Sequence, residues 1–120
     1  GFGNIAQLVL HRAKAFDMEV IVHTRTQVPG LEKKLGFRYV SQAELLAQSD
    51  IVSIHTPNTP QTKNMVNKDF LSQMKTDAML INTSRGTVVC DEDLMAHIEA
   101  NPNFWVGTDV FNGEPATGKL

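Results

Sequence analysis

Apolar residues recur along the chain at two alternating spacings, one typical of helices and the other of buried strands. Ile5, Leu8, Val9 and Ala13 follow helical spacing, which predicts a helix over residues 4–16. Short apolar runs rich in β-branched residues predict the strands. Further helices are predicted at 31–35, from Ser41 onward, around 70–74 and at 91–100, and strands at 18–22, 37–40, 51–54, 78–81 and 104–110.

These strands and helices alternate from one end of the chain to the other. The strands are apolar throughout, without the alternation of polar residues that a half-exposed strand shows. Such strands are typical of parallel sheets whose two faces are covered by helices. The pattern therefore predicts an α/β fold built on a parallel sheet.

Composition and charge restrict the partners without changing this fold. The net charge is −2 and 20% of the residues are charged, so neither nucleic acid nor an anionic membrane is favoured as a partner. The sequence lacks the run of about 18 apolar residues that a membrane-spanning helix needs. A single cysteine, Cys90, cannot form an internal disulfide and fits a reducing compartment. We expect a cytoplasmic protein without a metal site.

The first six residues form a glycine-rich turn that opens a predicted helix. Residues 1–6 match the pattern G-x-G-x-x-A. In this pattern Gly1 allows a tight turn, Gly3 lets the backbone approach a pyrophosphate, and Ala6 allows close packing of helix and sheet. The phosphates then bind the free N–H groups at the helix start. The alternative is a glycine-rich turn that binds no ligand.

The end of the next predicted strand bears on the choice of cofactor. Dinucleotide-binding domains usually carry an acid about 20 residues beyond the glycines, where it binds the ribose 2′-hydroxyl. Thr24 and Arg25 occupy this region instead. A guanidinium group makes charge-assisted bonds to a 2′-phosphate, which favours NADP over NAD. The alternative is a solvated surface arginine.

Longer motifs in the second half of the chain carry a family resemblance. They are Asp50–Pro57, Thr59–Val66, Leu80–Val89 and Thr108–Pro115. In this order and spacing they resemble the D-isomer-specific 2-hydroxyacid dehydrogenases, and the resemblance covers essentially the whole chain. Within that family, the segments 63–65, 85–89 and 114–117 look most like the D-3-phosphoglycerate dehydrogenases.

The resemblance implies a Rossmann-type, doubly wound parallel sheet that binds NAD or NADP. It assigns residues 1–111 to this domain and 112–120 to the start of a connection. The family's first strand would precede Gly1 at the centre of strand order 3-2-1-4-5-6. We therefore expect an excerpt whose strands form two half-sheets, which lacks the substrate-binding domain and has no turnover alone.

The same resemblance implies two catalytic residues. Arg85 matches the arginine that binds the substrate carboxylate and polarises the carbonyl, a role suited to a permanently charged fork of donors. Glu114 matches the acid that orients a catalytic histidine and raises its pKa. That histidine is expected beyond Leu120. The structural alternatives are an arginine that ties down a loop and a solvated turn glutamate.

The remaining positions implied by the resemblance contact the cofactor. Asp109 ends a strand, where ligands of parallel sheets bind, although an aspartate there can also be a cap or turn residue. The chain's four histidines fit structural or cofactor-edge roles better than proton transfer. The full set of expected cofactor residues is Gly1, Gly3, Asn4, Ile5, Thr24, Arg25, His55, Thr56, Pro57, Thr83, Ser84 and Asp109.

By resemblance, the expected reaction is hydride transfer between NAD(P) and a D-2-hydroxyacid. We expect 3-phospho-D-glycerate as the substrate, with glyoxylate or hydroxypyruvate as the alternative. A non-enzymatic NAD(H)-sensing corepressor of the same fold is a further alternative. The family also implies a homodimer or a larger oligomer.

Overall fold

The structure, a computed structural model, describes residues 1–113 of the chain. The helices are α1 (Asn4–Ala15), α2 (Leu31–Leu35), α3 (Gln42–Gln48), α4 (Lys68–Ser72) and α5 (Asp91–Ala100), with a 3₁₀ turn at Gly86–Val88. The strands are β1 (Ile21–Val22), β2 (Arg38–Tyr39), β3 (Ile51–Ile54), β4 (Met79–Asn82) and β5 (Trp105–Thr108). No helix among residues 1–113 is long and apolar enough to cross a membrane.

The strands of the described chain form two parallel sheets rather than one. β1 pairs with β2, and β4 lies between β3 and β5. The α/β class and the parallel, Rossmann-like arrangement predicted from the sequence are therefore confirmed. The separation of β1 from β3 also agrees with the expected pair of half-sheets.

Three predicted strands are longer than the observed ones. The runs at 18–22 and 37–40 contribute only two paired residues each, and the last strand ends at Thr108 rather than at residue 110. A strand needs a hydrogen-bonded neighbour as well as an extended apolar sequence. The short β1–β2 ladder supplies that neighbour over only two positions.

The sequence predicts that helices cover both faces of the sheet. In the three-stranded sheet, residues 1–113 bury only one face. Val52, Ile54 and Leu80 are at most 5% exposed and face the main core. On the opposite face, Ile51 is 45% exposed and Ile81 is partly buried. Both line a groove that separates this sheet from α1 and β1.

The main core lies between the three-stranded sheet and helices α3, α4 and α5. Its centre consists of side chains without measurable exposure, which maximises the apolar area removed from water. Phe104 and His97 pack edge-on, with ring centroids 4.6 Å apart, and close the α5 side. The central members are Leu46, Val66, Leu71, Leu80 and Val88.

A second, smaller core joins α1 to the two-stranded sheet. Leu10 of α1 packs with Val22 and Phe37, and the Phe37 ring lies 4.7 Å from Phe2 and 4.9 Å from Tyr39. Edge-to-face and tilted ring pairs of this kind add to simple burial. The glycine turn is thereby attached to the β1–β2 sheet through the Phe2 side chain.

Helix α2 ends at Gly36, whose left-handed conformation is typical of the residue that follows a helix. The Lys14 ammonium of α1 donates to the carbonyls of Leu35 at 3.2 Å and Gly36 at 3.0 Å. These bonds satisfy acceptors that a helix leaves unpaired at its carboxyl end. They also link α1 to α2 across the small core.

The two glycines that flank α2 provide a matched test of this link. Gly30 and Gly36 have φ of +79° and +73°, so alanine at either position costs about 1–2 kcal/mol of backbone strain. At Gly36 the new methyl group would also overlap the Lys14 ammonium, whereas at Gly30 it meets nothing within 4 Å. We expect Gly36→Ala to lower the free energy of unfolding more than Gly30→Ala, by about 0.5–1 kcal/mol.

Denaturant titration of both variants measures this difference. In a Lys14→Met background the two glycine substitutions should cost the same, because the displaced ammonium is absent. Equal costs in the wild-type background would contradict a stabilising role for the Lys14 bonds.

Candidate functional site

The sequence-predicted residues fall in the loops that follow the carboxyl ends of four strands. Residues 23–25 follow β1, residues 55–57 follow β3, residues 83–85 follow β4, and Asp109 follows β5. Ligands of parallel α/β sheets bind at this edge. The β1 loop and the β3 loop belong to different sheets, and the glycine turn lies between them.

Gly1 joins the ends of the two sheets. Its backbone nitrogen donates to the His23 carbonyl at 3.1 Å, beyond the end of β1. A Cβ atom on Gly1 would overlap the His55 carbonyl, which follows β3. Only glycine allows the turn to approach both strand ends this closely. Its absence of a side chain is therefore explained by contacts within the protein.

Gly3 has a different environment, because a Cβ atom there would meet nothing within 4 Å. Its φ of −86° is available to any residue, so neither crowding nor backbone strain requires glycine. The open space lies directly at the start of α1. A ligand can therefore approach the Gly3 backbone through the space that a side chain would fill in any other residue.

The amino-terminal end of α1 also lacks the usual partners of a helix start. Gly3 gives no side-chain cap, and the first turn, which begins with Asn4 and the 66% exposed Ile5, contains no acid. Every other α-helix among residues 1–113 has a side-chain cap, an acid in its first turn or both. Free N–H groups and an uncompensated positive dipole end suit an anion.

A groove of about 830 Å³ runs from this turn between the two sheets. Gly1, His23, His55 and Thr83 line its upper part, so the loops after β1, β3 and β4 share one wall. The groove continues along α1 and between the unpaired edges of β1 and β3, where the family resemblance implies a further strand. Of the expected site residues, Gly1, His55 and Thr83 line it.

The loop after β3 contains a buried polar atom with no partner. Thr56 Oγ1 is inaccessible to solvent and makes no hydrogen bond with any described residue. An unpaired buried hydroxyl costs free energy unless a ligand or water satisfies it. Pro57, which follows, is exposed. Thr56 is therefore positioned to bind a polar group of a ligand.

His55 in the same loop is suited to a structural role. Its Nε2 lies 2.8 Å from the Ser53 hydroxyl. Burial lowers the pKa of His55, which favours the neutral form of the ring. The bond to Ser53 holds the ring in place, and the expectation that His55 does not deliver the catalytic proton stays a prediction.

The other three histidines lie away from a proton-transfer position. His11 is exposed on α1, and His23 Nδ1 pairs with the Val40 carbonyl at 3.1 Å. His97 packs on Phe104 in α5, and burial lowers its pKa. Among residues 1–113, no group of three or more His, Cys, Asp or Glu side chains is arranged to hold a metal ion.

The loop after β1 places a positive charge beyond the strand end. Thr24 is partly buried, and Arg25 is exposed. Arg25 makes no ion pair or hydrogen bond with another residue in the described part of the chain. The other exposed arginine of this sheet, Arg38, lies 3.7 Å from both Glu19 and Glu44. The Arg25 guanidinium is therefore available to an external anion.

The loop after β4 carries Arg85, whose backbone is held from both sides. Before it, the buried Asn82 side chain bonds to Ser84 and to the Arg85 carbonyl. After it, a Cβ atom on Gly86 would overlap the backbone of Phe111. The Arg85 side chain is exposed, and its Nη1 donates to the Ser84 carbonyl at 2.6 Å.

Sequence reasoning missed Asn82, because the strand had been expected to end at Ile81. A polar residue that directly ends an apolar run and precedes Ser84 by two positions is the signal that could have identified it, since this spacing is typical of an Asx turn.

The last two site predictions have different outcomes. Asp109 is exposed beyond β5 and makes no hydrogen bond or ion pair with another residue of 1–113, so the described contacts give it no capping or turn role. Glu114 lies outside the described residues. Its expected role beside a histidine remains a prediction.

The chain is similar to the members of one known protein family. Residues 1–120 match the family model for the D-isomer specific 2-hydroxyacid dehydrogenase, NAD binding domain. A glyoxylate reductase of Thermococcus litoralis is 44% identical over 118 residues, which cover 96% of this chain and 35% of that protein. A hydroxypyruvate reductase of Thermotoga maritima is 34% identical over 120 residues, covering 100% and 38%.

A solved structure agrees with the fold. The NAD-complexed D-isomer specific 2-hydroxyacid dehydrogenase of Lactobacillus delbrueckii ssp. bulgaricus has a TM-score of 0.89 and 31% identity, with 100% of this chain and 37% of that chain covered. The chain thus spans about a third of the length of these relatives. The relatives compared by sequence carry the names of glyoxylate and hydroxypyruvate reductases, so the expected likeness to phosphoglycerate dehydrogenases is not supported. The chain belongs to the D-isomer specific 2-hydroxyacid dehydrogenase family and corresponds to its NAD-binding domain.

Proposed function

We propose that the protein containing this chain interconverts a small 2-oxo acid and the corresponding D-2-hydroxyacid with a nicotinamide cofactor. The observation that supports this most is an exposed arginine, Arg85, in the loop that follows the carboxyl end of β4. A permanently charged donor fork at this edge of a parallel sheet suits an acid substrate. The family membership of the chain supports the same reaction class.

The residues present fit a dinucleotide. Open space at Gly3, the uncompensated start of α1 and the unpaired Thr56 hydroxyl offer separate contacts for phosphate and ribose groups. We assign the pyrophosphate to Gly1, Gly3, Asn4 and Ile5 and the nicotinamide end to Thr83, Ser84 and Asp109. When bound, the nicotinamide supplies or accepts the hydride at the 2-position of the acid.

Within this proposal the chain's own residues orient and polarise the substrate. Arg85 binds the carboxylate and draws electron density from the neighbouring carbonyl, which favours hydride attack. Glu114 supports a histidine that carries the proton, as the family resemblance implies. His55, held by Ser53, forms a wall of the site and moves no proton.

Glyoxylate and hydroxypyruvate are the proposed substrates ahead of 3-phosphoglycerate. Relatives at 34–44% identity are named for the first two acids. A phosphorylated substrate would require a second cationic group near Arg85. Among residues 1–113, no lysine or other arginine shares its loop.

Steady-state kinetics with glyoxylate, hydroxypyruvate and 3-phosphohydroxypyruvate test the substrate class. We expect Arg85→Lys to lower kcat/KM for the preferred acid by about 100-fold, because a point charge cannot replace a bidentate fork. Arg38→Lys, an exposed arginine on β2, should leave kcat/KM unchanged. Absence of wild-type activity with every 2-oxo acid would overturn the proposed function.

Gly3→Ala tests the pyrophosphate position. The methyl group meets no protein atom and φ is permissive, so the melting temperature should stay the same or rise slightly. The dissociation constant for NADH or NADPH should rise about tenfold or more, because the methyl group takes the space of the phosphate approach. Fluorescence titration of the nicotinamide measures it. Unchanged cofactor affinity would place the pyrophosphate elsewhere.

Arg25→Gln tests the choice between the two cofactors. We propose that Arg25 binds a 2′-phosphate and that NADPH is preferred. The ratio of kcat/KM values for NADPH and NADH should then fall by about tenfold or more in this variant. Arg38→Gln serves as the control and should leave the ratio unchanged. A wild-type preference for NADH of more than about tenfold would contradict this assignment.

A further inference from the structure

Asn82 differs from every other polar or charged residue of the described chain, because it alone is buried. It is 2% exposed at the end of the central strand, three residues before Arg85. A polar side chain in such a position is expected to have all of its strong hydrogen-bonding groups engaged. Its partners therefore indicate what the residue does.

Among residues 1–113, the hydrogen-bond partners of the Asn82 side chain all lie in the loop that carries Arg85. Its Oδ1 accepts from the Ser84 backbone N–H at 3.0 Å and from the Ser84 hydroxyl at 2.8 Å. Its Nδ2 donates to the Arg85 carbonyl at 3.0 Å. The first of these bonds forms an Asx turn, and the third extends it to the arginine itself.

The polarity of these bonds requires an amide at this position. The Ser84 N–H can only donate, so it needs an oxygen opposite, and the Arg85 carbonyl can only accept, so it needs an N–H. Asparagine presents both groups from one planar side chain. An ionised aspartate would keep the bonds to Ser84 and place an oxygen against the Arg85 carbonyl.

The backbone of Asn82 connects this turn to the neighbouring loop. The Thr108 hydroxyl lies 3.1 Å from the Asn82 carbonyl and 2.8 Å from the Val110 carbonyl, so these two acceptors share its one proton. Thr108 and Val110 flank Asp109. Asn82, at the end of β4, therefore contributes to the positions of both Asp109 and Arg85.

The far side of the Arg85 loop is fixed independently. The Thr87 hydroxyl donates to Asn58 Oδ1 at 3.0 Å, and the Thr87 carbonyl accepts from the Asn64 N–H at 2.9 Å. These bonds hold the segment after Arg85 when the turn before it is altered. Loss of the Asn82 amide should therefore rotate the arginine without detaching the whole loop.

We propose that Asn82 is a positioning residue that sets the direction of the Arg85 guanidinium toward the substrate carboxylate. The inference rests on the proposed function, in which Arg85 binds that carboxylate. Binding groups must be held to within a fraction of an ångström to favour the transition state. The Asn82 amide supplies this restraint through the Arg85 backbone.

Asn82→Asp in the whole protein tests the proposal at about pH 8, where the introduced carboxyl is ionised. We expect kcat/KM for glyoxylate to fall roughly tenfold to 100-fold, mainly through KM. Glycolaldehyde, in which a hydroxymethyl group replaces the carboxylate, should lose much less. A general structural defect would lower kcat/KM for both substrates alike, so the ratio of the two kcat/KM values isolates the positioning effect.

Asn67→Asp is the matched control. Asn67 caps α4, and among residues 1–113 its side chain only accepts, from the Phe70 N–H at 3.1 Å. Aspartate caps a helix as well as asparagine does. The same substitution there should leave the substrate ratio and kcat/KM unchanged.

Amide hydrogen exchange separates this proposal from the proposed function. In Asn82→Ala, exchange should accelerate at Ser84 and Gly86 while the amides of β4 stay protected. An unchanged Ser84 exchange rate would overturn the positioning role, whether or not the wild-type protein reduces any 2-oxo acid. With an active wild type, an unchanged glyoxylate-to-glycolaldehyde ratio in Asn82→Asp would also overturn it.

If the wild type is inactive with every acid, the proposed function fails. In that case accelerated exchange at Ser84 and Gly86 would still support Asn82 as the residue that holds the loop.

Discussion

The close approach of Gly1 to the His55 carbonyl is the contact on which the site depends. The strands of the described chain lie in two separate sheets, and the glycine turn touches the carboxyl end of each. Any side chain at this position would push the two ends apart. The turn thereby brings the loops after β1, β3 and β4 to one groove and directs the start of α1 toward it.

The two glycines of the motif have separate physical causes. Gly1 is small because protein atoms crowd it, whereas Gly3 is small although no atom of residues 1–113 occupies the space. The crowding shows that the fold itself requires glycine at position 1. The open space beside the free N–H groups at Gly3 indicates a ligand. This distinction supports a dinucleotide more directly than the motif pattern does.

The substrate side of the site is organised by hydrogen bonds rather than by apolar packing. Arg85 is exposed, so packing cannot hold its side chain, and its direction depends on the backbone that Asn82 and Gly86 restrain. Arg25, in the loop after β1, has no comparable restraint among residues 1–113. Under the proposed function, a restrained Arg85 would orient the carboxylate, and a freer Arg25 would only attract a 2′-phosphate.

Sequence alone determined the α/β class, the parallel strands and helix α5, because apolar periodicity is a local signal. The family motifs identified the loops that carry His55, Arg85 and Asp109, and the distance from the glycines identified Arg25. Tertiary structure decided the rest. The β1–β2 ladder is short because pairing depends on a distant neighbour, and Asn82 is buried because the loop folds back over it. Neither distance nor burial is encoded in spacing along the chain.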